Sequence, residues 1–231
     1  MHYIHEHSAW PKFQWLETKL STLLADVRHR QGRLLGKMEA LGFRFRSEAT
    51  LTTLTADVLK SSAIEGELLD AEQVRSSIAR RLGLDEGGLV RSSRDVEGVV
   101  EMMLDATQKH TEPLTAERLF SWHASLFPTG RSGMQAITVG GWRTSQEGPM
   151  QVVSGPIGKE RVHFEAPSAD RLDHEMAGFL HWFGNSSGMD SVIKAGIAHF
   201  LARDDSSLSG RKRPHWEGDR RYGASAGGRN S

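Results

Sequence analysis

The most constraining feature of this sequence is the point at which its apolar side chains stop. Beyond Leu208 it contains no Val, Ile, Leu, Met or Phe, and Arg, Gly and Ser dominate. Such a segment cannot bury enough apolar surface to offset the entropy lost on folding. The last helical spacing of apolar residues covers 191–200. We therefore predict that the fold ends at Phe200 and that residues 201–231 form a disordered basic tail.

The rest of the sequence is patterned mainly for helices. In the segment 13–38, leucines and other apolar residues recur every three or four positions with charged residues between them, which is typical of a long amphipathic helix. The same spacing, together with helix start and stop signals, predicts further helices. They cover 49–62, 71–82, 94–107, 115–126, 169–183 and 191–200. The predicted fold class is all-α.

One segment has the composition of strands. Residues 150–153 and 161–164 flank the turn sequence Ser-Gly-Pro-Ile-Gly, which predicts a β-hairpin. An isolated two-stranded hairpin is marginally stable in water. We therefore expect it to pack on the helices as a small flap and to present its backbone to a partner peptide.

The Gly-rich stretch at 85–88 marks a candidate domain boundary. We predict an N-terminal helical domain at 1–88, a second helical domain at 89–200, and the tail at 201–231. A length of 231 residues with 38% hydrophobic composition is enough for two small cores.

The composition narrows the cellular setting. The sequence contains no cysteine, so disulfides and thiolate chemistry are excluded and a reducing cytoplasm is expected. The N-terminal residues lack the apolar core of a signal peptide, and no apolar run has the length of a membrane span. The formal net charge is zero, which gives no general argument for nucleic-acid binding.

The eleven histidines do not predict a metal site. His2, His5 and His7 have a spacing that could bind a metal weakly, but we favour a frayed polar terminus. His123 and His199 lie on apolar helix faces, where we expect hydrogen-bonded core histidines. The motifs HExxH, Walker A, GxGxxG and GxSxG are absent from the sequence.

Ser61, Glu65 and Gly66 form the most distinctive short pattern. Glycine is the usual terminator of a helix, so an ordinary helix end explains Glu65 followed by Gly66. The spacing of Ser61 and Glu65 places both on one helix face. The residues alone leave a plain helix end and a special role both open.

The pattern Ser61-x-x-x-Glu65-Gly66 resembles [ST]xxxE[GN], the inhibitory motif of Fic proteins. Residues 8–200 are similar to the Fic core and to the helical domain that often precedes it in bacterial proteins. The segments that carry the resemblance are Trp10-Pro-Lys-Phe13, Gln31-Gly-Arg-Leu-Leu-Gly36, Gly141-Trp-Arg143, Met150-Gln-Val-Val-Ser-Gly155, Val162-His-Phe-Glu-Ala-Pro167 and Ala195-x-x-Ala-His199.

The defining Fic signature, HPFx[DE]GNGRxxR, is absent, although the resemblance places it shortly after His199. If the coding triplets are read out of register from codon 201, codon degeneracy permits the whole signature in order across positions 206–222. We hypothesise that an extra base near codon 201 has shifted the frame, as a pseudogene lesion or as a sequencing error. The rival interpretation is a genuine nucleic-acid-binding tail, in which Arg211-Lys-Arg213 and Arg220-Arg221 contact phosphates while Trp216 and Tyr222 stack on bases.

The resemblance implies a protein adenylyltransferase that moves AMP from ATP, with Mg²⁺, onto a hydroxyl side chain of a target protein. It assigns Ser61, Glu65 and Gly66 to self-inhibition. It assigns the residues of the hairpin to aligning the target by strand addition: Met150, Gln151, Val152, Val153 and Ser154. It also allows a homodimer. Because the signature is missing, we assign no catalytic residue, expect no bound ATP or Mg²⁺, and predict no catalysis. The alternative is a non-catalytic remnant or a protein-interaction module.

Overall fold

The computed structural model of the protein describes residues 4–64, 66–84, 88–132, 135–145, 150–156, 159 and 161–205. These residues form seven α-helices and two short antiparallel strand pairs: α1 (Glu17–Ala40), α2 (Phe43–Ile64), α3 (Ala71–Arg81), α4 (Arg94–Gln108), α5 (Ala116–Leu126), β1 (Arg131–Ser132), β2 (Gln135–Ala136), β3 (Gln151–Ser154), β4 (Arg161–Glu165), α6 (Leu172–Asn185) and α7 (Ser191–Asp205).

The predicted mainly helical class with a small hairpin is confirmed, and all seven predicted helices are present. Helix α2 is longer than predicted, since it begins at Phe43. The β1–β2 pair was not predicted, because strands of two residues are too short to show an alternating pattern.

The folded chain extends beyond its predicted end. Helix α7 continues to Asp205 and buries Leu201 against Met176 and Phe179. The prediction overlooked that Leu201 follows Ile197 by four residues and so continues the apolar face of the helix. Residues 206–231, which make up most of the predicted tail, lie outside the described residues.

One hydrophobic core joins α2, α3 and α4. Leu51 and Val58 from α2 pack with Val74 and Ile78 from α3, and α4 contributes a third row of apolar side chains that includes Val100. Two side-chain caps start the later helices, because Asp70 accepts a hydrogen bond from the Gln73 N–H and Ser93 accepts one from the Val96 N–H. The boundary predicted after residue 88 stays a prediction, and this core contains residues from both sides of it.

A second core joins the beginning and the end of the described chain. Met176 and Phe179 of α6 pack with Leu201 of α7, and Trp10 and Phe13 lie against this cluster. Phe13 also meets Phe200 edge to face, with ring centroids 5.7 Å apart. Two segments far apart in sequence therefore depend on each other for burial.

Helices α4 and α5 cross at very close range. A Cβ added at Gly98 would lie 1.9 Å from the carbonyl oxygen of Ser125, so only glycine fits at this crossing. Asp105 of α4 accepts hydrogen bonds from the Arg118 Nε at 2.7 Å and from the Trp122 Nε1 at 2.8 Å. Lys109 lies 2.9 Å from the other carboxylate oxygen of Asp105.

Helix α1 contrasts with the others, because none of its residues is buried. Its attachment lies in its first half, where Arg28 donates to the Asp190 carboxylate at 2.8 Å and to the Ser191 hydroxyl at 2.9 Å. Leu16, Leu23 and Leu34 remain exposed. Among the described residues, no helix combines the length and the apolar character needed to cross a membrane.

Candidate functional site

Helix α2 ends at the Ser61–Gly66 pattern. Gly66 has a φ of +83°, a left-handed conformation that favours glycine. The Gly66 N–H donates to the Ala63 carbonyl at 3.0 Å, and the Glu67 N–H donates to the Ser62 carbonyl at 2.9 Å. These two bonds satisfy carbonyls that the helix end would otherwise leave free. The sequence-based expectation of a glycine-terminated helix is confirmed.

The surroundings of this helix end are open to solvent. Ser61 is exposed on α2, and the exposed fractions of Ile64 and Leu68 are 82% and 89%. Glu65, the central residue of the predicted inhibitory pattern, lies outside the described residues. The inhibitory role of Ser61, Glu65 and Gly66 therefore stays a prediction.

Strands β3 and β4 form the predicted flap. Gln151 pairs with Glu165 and Ser154 pairs with Arg161, and the register shifts between Val152 and Val153. This shift is a β-bulge, which places an extra residue in β4 and increases the local twist. Just before β3, the Met150 carbonyl accepts a hydrogen bond from the Ala166 N–H at 2.9 Å.

Side chains reinforce the pairing across the flap. The Gln151 Nε2 donates to the Glu165 carboxylate at 2.7 Å, and the Ser154 hydroxyl lies 2.6 Å from the His163 Nε2. On the inner side, Phe164 meets the ring of His5 at 90°, with centroids 5.8 Å apart. The flap is thus attached to the N-terminal segment, as expected for a hairpin too small to be stable alone.

The edge of β3 that faces away from β4 is able to bind an extended peptide. Within the part of the chain that the structure describes, β3 pairs with β4 alone, so its other edge carries no strand there. An extended peptide can add to such an edge through main-chain hydrogen bonds. Gln151, Val153 and Ser154 are therefore brought together at one edge, although no described contact joins them to the end of α2.

The histidine predictions have mixed outcomes. His123 is buried on α5 beside Phe127, as predicted. His199 is exposed, so its predicted core position is wrong: Ile197, Ala198 and Leu201 lie on the opposite face of α7.

Among the N-terminal histidines, His5 is buried and does not belong to a frayed terminus. His2 lies outside the described residues. The described residues contain no group of three or more His, Asp or Glu side chains able to hold a metal.

Sequence reasoning missed one buried cation near the flap. Arg143 is only 4% exposed, and its Nη2 donates to the carbonyl of Pro167, which follows β4. This bond connects the segment before the flap to the segment after it. The only signal in the sequence was that Arg143 follows Trp142 and Gly141, a grouping that does not by itself predict burial.

Comparison with known proteins shows what the chain is similar to. Residues 3–84 match a family model described as "Domain of unknown function (DUF4172)". No curated protein matches significantly. Seventeen chains of solved structures match. One is a Fic family protein from Desulfovibrio desulfuricans G20, with a TM-score of 0.56 and 21% sequence identity.

This likeness covers 86% of the present chain and 54% of the solved one, so the chain spans about half the length of that relative. At this identity the likeness is one of fold. The chain has the Fic-type fold, as the sequence motifs predicted.

Proposed function

We propose that this chain, which has a Fic-type fold, derives from a cytoplasmic protein adenylyltransferase that is restrained through Glu65. The observation that carries the proposal is the β3–β4 flap with its open edge, in a fold shared with a Fic family protein. The intact protein would transfer AMP from ATP to a hydroxyl side chain of a target protein. The chain as written does not carry out this transfer.

The flap supports a protein substrate. A target segment that adds to β3 receives main-chain hydrogen bonds, which position it with little dependence on its side chains. The contacts from Gln151 to Glu165 and from Ser154 to His163 keep β3 extended before the target arrives. A preorganised edge of this kind reduces the entropy lost on binding.

The residues present do not fit ATP and Mg²⁺. The donor groups implied for these ligands belong to the signature HPFx[DE]GNGRxxR, and the sequence does not contain it. No phosphate-binding turn follows α7 in the written sequence, and no transfer step can be assigned to this chain. Catalysis requires the frame change proposed near codon 201.

The first experiment is to resequence the genomic DNA across codons 195–225, and then to prepare two proteins. One is the 231-residue chain, and the other has the proposed extra base removed. We expect MgATP to raise the melting temperature of the restored protein and to leave that of the written chain unchanged. A shift for the written chain, or none for the restored one, would contradict the proposal.

The restraint is tested by Glu65→Gly in the restored protein. Loss of the carboxylate should increase incorporation of label from α-labelled ATP into protein, because the resemblance pairs Glu65 with a signature arginine that binds the γ-phosphate. In the written chain the same substitution should do nothing. Glu67→Gly is the matched control, since Glu67 is an exposed carboxylate three residues after the last residue of α2. Equal activation by both substitutions would contradict a specific inhibitory role of Glu65.

The alternative is a non-catalytic interaction module. The specific observation in its favour is that the flap, with the edge of β3 that could receive a peptide, is present although the catalytic signature is missing. If DNA sequencing retains the written frame, and a target peptide binds to the flap without any effect of ATP, the module describes the protein better. A nucleic-acid-binding tail would instead give binding that falls steeply with salt.

A further inference from the structure

Helix α1 has an apolar face that the described chain leaves uncovered. The exposed fractions of Leu16, Leu23 and Leu34 are 61%, 65% and 62%, and no residue of the helix is buried. At 100° per residue these three leucines fall within a narrow stripe. The attachment through Arg28 lies on a neighbouring face. Leu20, at the edge of the stripe, is half-buried and lines a shallow cleft with Asp190 and Ile193, whereas the three exposed leucines are open to another helix.

The stripe has the heptad spacing of a coiled coil. The first core position of each heptad, conventionally called a, is occupied by apolar residues throughout: Leu20, Val27, Leu34 and Leu41. The second core position, called d, is apolar in the first half of the helix and basic in the second: Leu16, Leu23, Arg30 and Lys37. Because the d position changes from apolar to basic along the helix, parallel and antiparallel partners would place different side chains opposite the basic residues.

Those charges select a second copy of the chain in antiparallel orientation. In a parallel pair, Arg30 would face Arg30 and Lys37 would face Lys37 in the seam, which is unfavourable for like charges. In an antiparallel pair, Arg30 lies opposite Val27 and Lys37 lies opposite Leu20, where long aliphatic stems cover apolar surface and the charged ends reach water. The central layers then pair Leu23 of each copy with Leu34 of the other.

Charge complementarity at the margin of the stripe favours the same arrangement. Asp26 and Arg33 occupy the same flanking heptad position, and flanking positions of that kind meet across an antiparallel pair. Each Asp26 therefore comes close to Arg33 of the other copy. Within one chain, Asp26 pairs with the exposed Arg30 at 2.9 Å.

The second half of α1 is a poor helix on its own. Gly32 and Gly36 lie within it, and no described residue outside the helix comes within 4 Å of the position a Cβ would take at either one. Glycine disfavours the helix interior, and a helix without packing is marginal in water. A packing partner on the leucine stripe supplies the missing stabilisation.

We propose that the chain forms a homodimer through antiparallel pairing of α1, with Leu16, Leu23 and Leu34 in the seam. This surface is separate from the flap and from the end of α2, so the proposal does not depend on the proposed enzymatic function.

The mass of the full chain in solution tests the proposal. Sedimentation equilibrium at micromolar concentration should give twice the 25.6 kDa of one chain. The double substitution Leu23→Lys, Leu34→Lys should give a monomer with unchanged helical circular dichroism, since both side chains are exposed. The matched control Thr18→Lys, Ala25→Lys adds the same charge to the opposite face and should stay dimeric. A monomeric parent chain, or a dimeric Leu23→Lys, Leu34→Lys chain, would overturn the proposal.

Cysteine pairing tests the direction, because the native sequence has no cysteine. The chain with Leu23→Cys and Leu34→Cys should form an intermolecular disulfide on mild oxidation. Leu23→Cys alone should not, because its two copies would be separated along the helix by about 16 Å, the rise of eleven residues. Efficient cross-linking of the single Leu23→Cys chain would indicate a parallel pair and refute the antiparallel one.

Discussion

The α4–α5 pair and helix α1 have the same kind of sequence pattern but differ in how far the rest of the chain buries them. Both regions carry apolar residues at helical spacing with charged residues between them. At α4–α5 the backbones meet at Gly98 and Ser125, and Asp105 connects the two helices through Arg118 and Trp122. On α1 no residue is buried. Amphipathic spacing thus indicates that one face of a helix packs against another element, but it does not identify that element.

The largest effect is expected where the backbones are closest. Gly98→Ala places a methyl group inside the contact distance of the Ser125 carbonyl oxygen and should lower the free energy of unfolding by about 3 kcal/mol. Urea denaturation measures this loss. The control is Gly178→Ala on α6, an exposed helical glycine with open space around it, which should stabilise the chain by up to about 1 kcal/mol. Equal behaviour of the two variants would refute the close crossing.

The next effect concerns the charged link between α4 and α5. Asp105→Asn should lower the free energy of unfolding at neutral pH by about 2 kcal/mol, since Arg118 and Lys109 lose a charged acceptor. The control Glu101→Gln removes an exposed α4 carboxylate 3.6 Å from Arg81 and should cost less than about 0.5 kcal/mol.

The pH dependence of that variant has a definite sign. Hydrogen bonds from Arg118, then Lys109 and Trp122, hold the pKa of Asp105 well below its ordinary value of 3.8. A carboxylate with a lowered pKa contributes fully above the ordinary value and loses that contribution as the pH falls towards the folded-state pKa. The stability difference between the native chain and Asp105→Asn should therefore shrink below about pH 4. A constant difference down to pH 2 would show that the ionised carboxylate is not its source.

The smallest effect on global stability is expected on α1. Gly32→Ala with Gly36→Ala favours the helix locally by about 1 kcal/mol per site. In the Leu23→Lys, Leu34→Lys background, hydrogen exchange of α1 amides should slow. The free energy of unfolding of the rest of the chain should change by less than about 0.5 kcal/mol. A large rise in that free energy would mean that α1 is coupled to the cores more strongly than its exposure indicates.

Local signals predicted much of the fold. Gly66 terminates α2 as expected, and the helices predicted to begin near residues 71, 94 and 115 are capped there by Asp70, Ser93 and Thr115. Each of these residues acts within one helical turn. The failures are tertiary. Whether His5 or His199 is buried depends on which distant segment covers it, and periodicity does not contain that information.

In the candidate site, too, the local features were predicted from the sequence and the tertiary contacts were not. The hairpin with strands at 150–153 and 161–164 was predicted because strand formers and a turn are adjacent in the sequence. Its bulge and its contact with His5 depend on geometry across strands and segments. Arg143 was missed because its carbonyl acceptor, on Pro167, lies 24 residues away. The role proposed for Glu65 depends on residues of the signature, which the written sequence lacks.

The composition of the two cores determines the order in which they become available during protein synthesis. The buried residues of the α2–α4 core lie between Leu51 and Leu104, so a ribosome releases that set early. Trp10 and Phe13 emerge even earlier, yet their partner Leu201 is translated after the whole α2–α4 core. Until α6 and α7 have been made, these two aromatic side chains lack much of their cover, and nascent-chain chaperones have that interval in which to bind them.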